Sequence, residues 1–247
     1  MAARDEILAF ANELLDVQRF PEYAPAGLQV AGAAEVMKIA CGVSSSRALF
    51  ERTAAAGAQL LLVHHGLFWR NESPVVDKRQ RGRLEVLFRS DITLAAYHLA
   101  LDAHPEIGNN ALLAAELGVE RERQFGEVGQ GGRLREPSTV DQFAARVADL
   151  VEREPLVFAE GPEVIERVAI TSGGGGNDLI QAAQEGYDLF LTGEAEEPSL
   201  HIARELGIHF VAAGHYATER LGVQALAGRL ADRFELDWEF IEVPNPV

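Results

Sequence analysis

Cysteine is nearly absent from this chain of 247 residues, which has Cys41 and no other. A lone cysteine cannot form an internal disulfide, and Cys41 lies in an apolar, strand-like run. That setting is typical of a thiol that packs in a core within a reducing compartment. We therefore expect no redox function.

Basic side chains are also scarce: 22 Lys and Arg stand against 38 Asp and Glu, so the formal net charge is −16. Binding to a phosphate backbone requires a stripe of Lys and Arg that displaces counterions. The charge balance therefore argues against DNA, RNA and anionic membrane as partners.

Long apolar runs are missing too. No segment reaches the roughly 20 apolar residues of a membrane span. Asp5 and Glu6 interrupt the segment in which a signal peptide would carry its apolar core. We interpret the chain as a cytoplasmic protein long enough for one large or two small domains.

Short apolar runs alternate with segments of helical periodicity along the chain. Strands are predicted at 38–43, 59–63, 92–98, 167–171, 189–192, 208–213 and 238–243. Helices are predicted at 3–16, 47–56, 81–90, 110–117, 139–152, 179–185, 199–206 and 218–233. Several strands are apolar on both faces, which predicts an α/β fold whose mostly parallel sheets are covered by helices.

An internal repeat divides this pattern into two similar halves. Residues 38–66 and 167–195 align without gaps and share the order strand, small-residue turn, helix, glycine and strand. The irregular segment 126–137 is predicted to be a joint or hairpin region between the halves. We predict a metal-binding α/β domain from 1–125 plus 208–247, and a second α/β domain from 126–207.

Imidazole and carboxylate side chains follow three of the predicted strands. His64 and His65 end one strand, Asp102 follows another, and His215 and Glu219 follow a third. Ligands gather at the carboxyl ends of strands in open α/β sheets. Such side chains bind Zn, Fe, Mn, Co or Ni, and a His and a Glu four residues apart share a helix face. The sequence therefore predicts a shared metal site.

Each of these residues also has a structural interpretation. A single His at a strand end is commonly a cap or a surface residue. Asp102 can cap the helix near Pro105, and a His and a Glu four residues apart often form a surface pair on a helix. The convergence of all three groups on strand ends favours the metal site.

Several motifs make the chain resemble the YbgI/Nif-three-like family, some of whose members are called type 2 homologues of GTP cyclohydrolase I. They are GLQVAG (27–32), LLLVHHGLFW (60–69), YHLALDAHPEIGNN (97–110), LTGEAEE (191–197), AAGHYATERLG (212–222) and FIEVPNPV (240–247). Together they extend over nearly the whole chain, so the resemblance is specific.

The resemblance implies two interlinked α/β domains, a toroidal homohexamer and a dinuclear metal centre. Carried over residue by residue, it implies the ligands His64, His65, Asp102, His215 and Glu219. His65 and Asp102 would bind one divalent ion, His64 and His215 the other, and Glu219 would bridge both.

The chain departs from the family's motifs at two places. Ala26 stands where a polar residue usually precedes the first glycine of GLQV, so a binding contact there is not expected. Four glycines occupy 173–176, where the family has a shorter pair. They are compatible with a phosphate cradle, or with a flexible turn between a strand and a helix.

A site with five protein ligands and two ions would suit a hydrolase acting on a small molecule, with nucleotide-like substrates among the candidates. His98, His104 and Glu194 are the candidates for proton transfer. Their structural alternatives are a core His, a turn residue and a helix cap. The alternative function is a metal-handling or regulatory ring scaffold without turnover.

Overall fold

The computed structural model describes residues 1–20 and 23–247. The chain forms two compact units. Unit 1 comprises Met1–Leu101 and Gly222–Pro244, and unit 2 comprises Asp102–Leu221 and Asn245–Val247. The predicted domains, divided at 125/126 and 207/208, have other bounds and stay a prediction.

The strands, in chain order, are β1 (Ala2–Ala3), β2 (Gly27–Val30), β3 (Glu35–Val36), β4 (Lys38–Ser44), β5 (Leu60–His65), β6 (Thr93–Ala96), β7 (Val119–Phe125), β8 (Gly129–Ser138), β9 (Leu156–Phe158), β10 (Ile165–Thr171), β11 (Leu189–Thr192), β12 (His209–Ala212) and β13 (Asp237–Phe240).

The α-helices, in chain order, are α1 (Arg4–Leu14), α2 (Arg47–Ala56), α3 (Lys78–Arg89), α4 (Leu99–Asp102), α5 (Asn109–Glu116), α6 (Val140–Val151), α7 (Leu179–Gln184), α8 (Ser199–Leu206), α9 (His215–Thr218) and α10 (Arg220–Phe234). Short 3-10 helices cover Val17–Arg19 and Gly175–Asp178. Within the described residues, no helix has the length and apolar content needed to cross a membrane.

Unit 1 is built on a five-stranded sheet in the order β13-β4-β5-β6-β2. Its first four strands are parallel, and β2 pairs antiparallel at the edge. Alternate residues of β5 lie on opposite faces: Leu61 belongs to one apolar cluster, while Leu60 and Leu62 are buried on the other face. Cys41 is also fully buried, which raises the pKa of its thiol and fits its predicted packing role.

Unit 2 is built on a six-stranded sheet in the order β7-β8-β10-β11-β12-β9. The central strands β10, β11 and β12 are parallel, and the outer pairings are antiparallel. Leu189 and Leu191 of β11 pack in one apolar cluster, and Phe190 packs in a second. The central strands are therefore buried on both faces, which confirms the α/β prediction.

The internal repeat has a counterpart in the connectivity of both sheets. In unit 1, β4, β5 and β6 are adjacent parallel strands, and in unit 2 the same holds for β10, β11 and β12. In the first copy, Ser46 caps α2 by accepting a hydrogen bond from the Leu49 amide at 3.2 Å. Gly57 ends that helix in the left-handed conformation.

The structure refines three parts of the predicted element pattern. Segment 126–137 forms the turn and most of the second strand of a hairpin, which was one of its two predicted forms, but this hairpin of β7 and β8 lies within unit 2. The predicted helix at 218–233 corresponds to α10, while Thr218 ends the separate short helix α9 and Glu219 lies between the two. In addition, α3 starts before the predicted 81 because the Asp77 carboxylate accepts from the Gln80 amide at 2.7 Å.

Candidate functional site

His64 and His65 are the last two residues of β5. His64 is fully buried, and its Nδ1 lies 3.0 Å from the carbonyl oxygen of Tyr97. Because a carbonyl only accepts, Nδ1 carries the proton, which selects the tautomer whose Nε2 lone pair can bind a metal. Nδ1 of His65 instead lies 3.0 Å from the hydroxyl of Ser44. The adjacent imidazoles therefore have different partners, as the alternation of a strand predicts.

A third imidazole joins this pair within unit 1. His98 follows β6, and its ring centroid lies 5.0 Å from that of His64 and 5.5 Å from that of His65. One nitrogen of each ring lies within 4.8 Å of the others. Trp69 packs its ring edge-on to His98 at 5.2 Å. Because β5 and β6 are neighbouring parallel strands, their carboxyl ends bring these rings together.

Asp102 is the last residue of α4, and it is 4% exposed. Its Oδ1 accepts hydrogen bonds from the side-chain amide of Asn109 at 2.8 Å and from the hydroxyl of Ser172 at 3.3 Å. A buried carboxylate is costly unless such donors or a cation compensate its charge. These bonds hold the carboxylate in one orientation within unit 2.

His215 lies between two carboxylates of unit 2. Its Nδ1 is 2.5 Å from Glu194, and its Nε2 is 3.3 Å from Glu219, which is 2% exposed. Burial by itself lowers the pKa of His215, but the hydrogen bonds and charges of Glu219 and Glu194 outweigh it and raise the pKa to about 9. His215 and Glu219 are in contact, as their spacing predicts, although Glu219 directly follows α9 and is not part of a helix.

The raised pKa of His215 predicts that the stability of metal-free protein depends on pH. Folding raises this pKa from 6.5 to about 9, so the stabilisation is fully present below pH 6.5 and is lost as pH rises through about 9. We expect the Tm of EDTA-treated protein to fall across this range, and to fall less in His215→Gln. Thermal unfolding by circular dichroism checks this, with exposed His201→Gln as control. A fall in Tm of the same size in wild type and in His215→Gln would contradict this prediction.

Gly173 gives Glu219 room beside the backbone. Gly173 has a φ of +64°, and a Cβ there would lie 2.1 Å from Oε1 of Glu219 and 3.1 Å from Nε2 of His215. Its amide donates to the hydroxyl of Thr218 at 3.0 Å. The first of the four glycines is therefore required by a left-handed backbone and by the closeness of the two candidate ligands.

The remaining predicted residues have identifiable contacts. The His104 ring accepts hydrogen bonds from the amides of Glu106 and Ile107 at 3.1 and 3.2 Å, so it holds the turn after α4. The carboxylate of Glu194 lies 2.5 Å from Nδ1 of His215 and orients its ring. Proton transfer by either residue, or by His98, stays a prediction.

Sequence reasoning missed the residues that support Asp102. Asn109 donates to its carboxylate, and Asn110 accepts from the Ser172 amide at 2.7 Å while its own amide donates to the Val128 carbonyl at 3.1 Å. Both asparagines are fully buried. The signal was present in the Asn pair that ends the motif at 97–110, because two adjacent amides in an apolar setting need several hydrogen-bond partners.

The side chains present are suited to a divalent metal. Unit 1 has three imidazoles with closely spaced ring nitrogens, and unit 2 has two buried carboxylates, one of which contacts a fourth imidazole. Because Gly173 has no Cβ, the Glu219 side chain has room to lie next to the backbone there. Nitrogen and oxygen ligands without thiolate are typical of Zn, Fe, Mn, Co and Ni sites.

These features define an α/β protein of two units with buried His, Asp and Glu groups that could bind a metal. The chain belongs to the Duf34/NIF3 (NGG1p interacting factor 3) family, which it matches over residues 2–246. This confirms the resemblance seen in the motifs.

Relatives and solved structures agree with this membership. A protein of Escherichia coli K12 named "GTP cyclohydrolase 1 type 2 homolog" is 45% identical over 242 residues, with 98% of each chain covered. The solved structure of protein ybgI, described as of unknown function, is 44% identical, with a TM-score of 0.97 over 100% of both chains. A structure from Thermus thermophilus is 37% identical, with a TM-score of 0.93 and complete coverage of both chains.

Proposed function

We propose that this protein is a divalent-metal-dependent hydrolase of a small molecule. In this proposal His64, His65, Asp102, His215 and Glu219 are the ligands of two ions. The observation that carries it is the burial of the donors: His64, Asp102 and Glu219 are 0%, 4% and 2% exposed. Burial of charged and metal-ligating groups is costly, and a bound cation would offset that cost.

A pair of divalent ions would polarise the bond to be hydrolysed and lower the pKa of a water molecule. The chain's own residues prepare the ligands for this. The Tyr97 carbonyl holds the Nδ1 proton of His64, and Asn109 orients the carboxylate of Asp102. Glu194 accepts from Nδ1 of His215, so that Nε2 is the nitrogen left for a ligand bond.

The names of the relatives indicate one substrate that should be tested. Proteins named "GTP cyclohydrolase 1 type 2 homolog" match nearly the whole chain, which supports including GTP among the small molecules tested. The family resemblance also supports a homohexamer as the working assembly. Light scattering on the purified protein tests that part of the proposal.

The deciding experiment is a turnover assay on protein loaded with Mn²⁺, Fe²⁺ or Zn²⁺. We expect hydrolysis of GTP, or of a phosphate-ester or amide substrate, by the loaded wild type. His65→Ala should abolish it, and His201→Ala should not, since His201 is an exposed residue of α8. Retained metal with no turnover on any substrate would contradict the hydrolase and favour the metal-handling or regulatory alternative.

A further inference from the structure

A cavity of about 390 Å³ lies beside the histidine cluster of unit 1. It is lined by Tyr23, Ala24, Pro25, Phe68, Trp69 and Arg70. Its volume is within the range of small-molecule sites, which are typically apolar with a few well-placed polar groups. Among the described residues that line it, three are aromatic and one is a cation.

Two of the aromatic side chains that line this cavity are exposed to solvent. Tyr23 and Phe68 are 49% and 37% exposed, although aromatic rings usually contribute to a core. A hydrogen bond from the Arg70 amide to the Tyr23 carbonyl at 2.8 Å ties the two lining segments together. Both segments therefore contribute aromatic side chains to the same cavity, and such side chains can stack with a planar ring.

Trp69 connects the cavity to the candidate metal ligands. Besides lining the cavity, its ring lies 5.2 Å from the ring of His98 and 5.9 Å from that of His65. Its indole Nε1 donates to the Gly66 carbonyl at 3.1 Å, which fixes the orientation of the ring. A molecule stacked in the cavity would therefore have its reactive end close to the imidazoles.

Arg70 and the segment that follows it carry more basic than acidic side chains, which favours an anionic ligand. Residues 70–89 contain six basic and three acidic side chains, in a chain whose net charge is −16. Arg70 lines the cavity itself, and the other five basic residues lie on α3. A local excess of positive charge on an acidic protein attracts and orients small anions.

We propose that this cavity is a substrate subsite that binds a planar aromatic ring carrying an anionic group. Tyr23, Phe68 and Trp69 contact the ring, and Arg70 binds the anion. The inference rests on the proposed function, since it assigns the substrate class of the same site. A nucleoside monophosphate combines both chemical features, and it matches the nucleotide-like candidates among the proposed substrates.

Ligand binding is tested first by fluorescence, without turnover. The chain has two tryptophans, so Trp238→Phe leaves Trp69 as the only indole emitter. We expect GMP to quench Trp69 saturably, guanosine to bind about tenfold or more weakly, and ribose 5-phosphate to cause no quenching. Equal affinities for GMP and guanosine, or absence of saturable quenching by GMP, would overturn the proposal.

Matched variants then assign the contacts by calorimetry. Phe68→Ala should weaken GMP binding about fivefold or more, whereas Phe88→Ala, an exposed aromatic of α3, should leave it unchanged. Arg70→Gln should remove the preference for GMP over guanosine, and Arg70→Lys should retain part of it. The control Arg89→Gln also removes one positive charge, but from outside the cavity.

Failure of this proposal is distinguishable from failure of the hydrolase proposal. GMP binding that depends on Phe68 and Arg70, with no turnover of any substrate, would retain the subsite and contradict the hydrolase. Turnover that depends on His65, with GMP affinity unchanged in Phe68→Ala and Arg70→Gln, would retain the hydrolase and overturn the subsite. Circular dichroism of each variant confirms that it is folded before binding is compared.

Discussion

Loss of bound metal is the expected result of replacing His64 by Ala. His64 is fully buried, and the Tyr97 carbonyl fixes its ring in the tautomer that can bind a metal through Nε2. Removing a residue that hydrogen-bonds to a metal ligand typically lowers metal affinity about 10- to 100-fold. Removing the ligand itself should therefore lower metal affinity by more than about 100-fold. Elemental analysis after dialysis, followed by chelator competition, measures this effect.

The control for this substitution removes an imidazole that has no predicted ligand role. His201 is exposed on α8, and His201→Ala should keep the wild-type metal content. Because truncation of a buried ring also leaves a cavity, His64→Gln serves as a second variant that fills more of the space. Wild-type metal content in folded His64→Ala and His64→Gln would show that His64 is not a ligand.

The parts of the fold predicted best were those with strong apolar patterns. The strand ending at 192 and the helix at 47–56 match β11 and α2, because the first is an uninterrupted apolar run and the second has a Ser cap and a terminal glycine. The candidate ligands were found for the same reason, since polar residues that interrupt an apolar run at its end are conspicuous. The structure places His64 and His65 at the end of β5, as predicted.

Strands without an apolar pattern were not predicted. In β7, the five residues between Val119 and Phe125 are exposed, as on a charged edge strand, so no alternation marks it. In β8, the glycines at 129, 131 and 132 have no side chains, so no alternation of apolar and polar residues indicates which face of the strand is buried. β7 forms because it pairs with β8, and β8 pairs with β10 as well, a tertiary effect that the local sequence does not show.

The contacts among candidate residues also depend on tertiary structure. His98 was predicted near Asp102 as a proton-transfer candidate, but its closeness to His64 and His65 follows from the parallel pairing of β5 with β6. Glu194 and His215 are 21 residues apart, and their contact follows from the adjacency of β11 and β12. The sequence identified the residue types and the strand ends, while strand order determined which side chains meet.

Replacing Gly173 by Ala should disrupt both stability and metal binding. Its φ of +64° costs a residue with a side chain about 1–2 kcal/mol, and the new Cβ would lie 2.1 Å from Oε1 of Glu219. Because Glu219 is 2% exposed and contacts His215 at 3.3 Å, its displacement disturbs two candidate ligands in contact with each other. We expect Tm to fall by at least about 2–4 °C and metal affinity to fall about 10- to 100-fold.

The neighbouring Gly174 provides a matched control for this change. Its φ is −82°, and a Cβ there would come no closer than 3.7 Å to the His215 ring, an ordinary van der Waals contact. Gly174→Ala therefore adds the same methyl group to the same turn without backbone strain or a clash with Glu219. Thermal unfolding and metal titration should distinguish the two variants. Equal losses in both would mean that flexibility of the glycine run matters, whereas a loss confined to Gly173→Ala would assign the effect to the space beside Glu219.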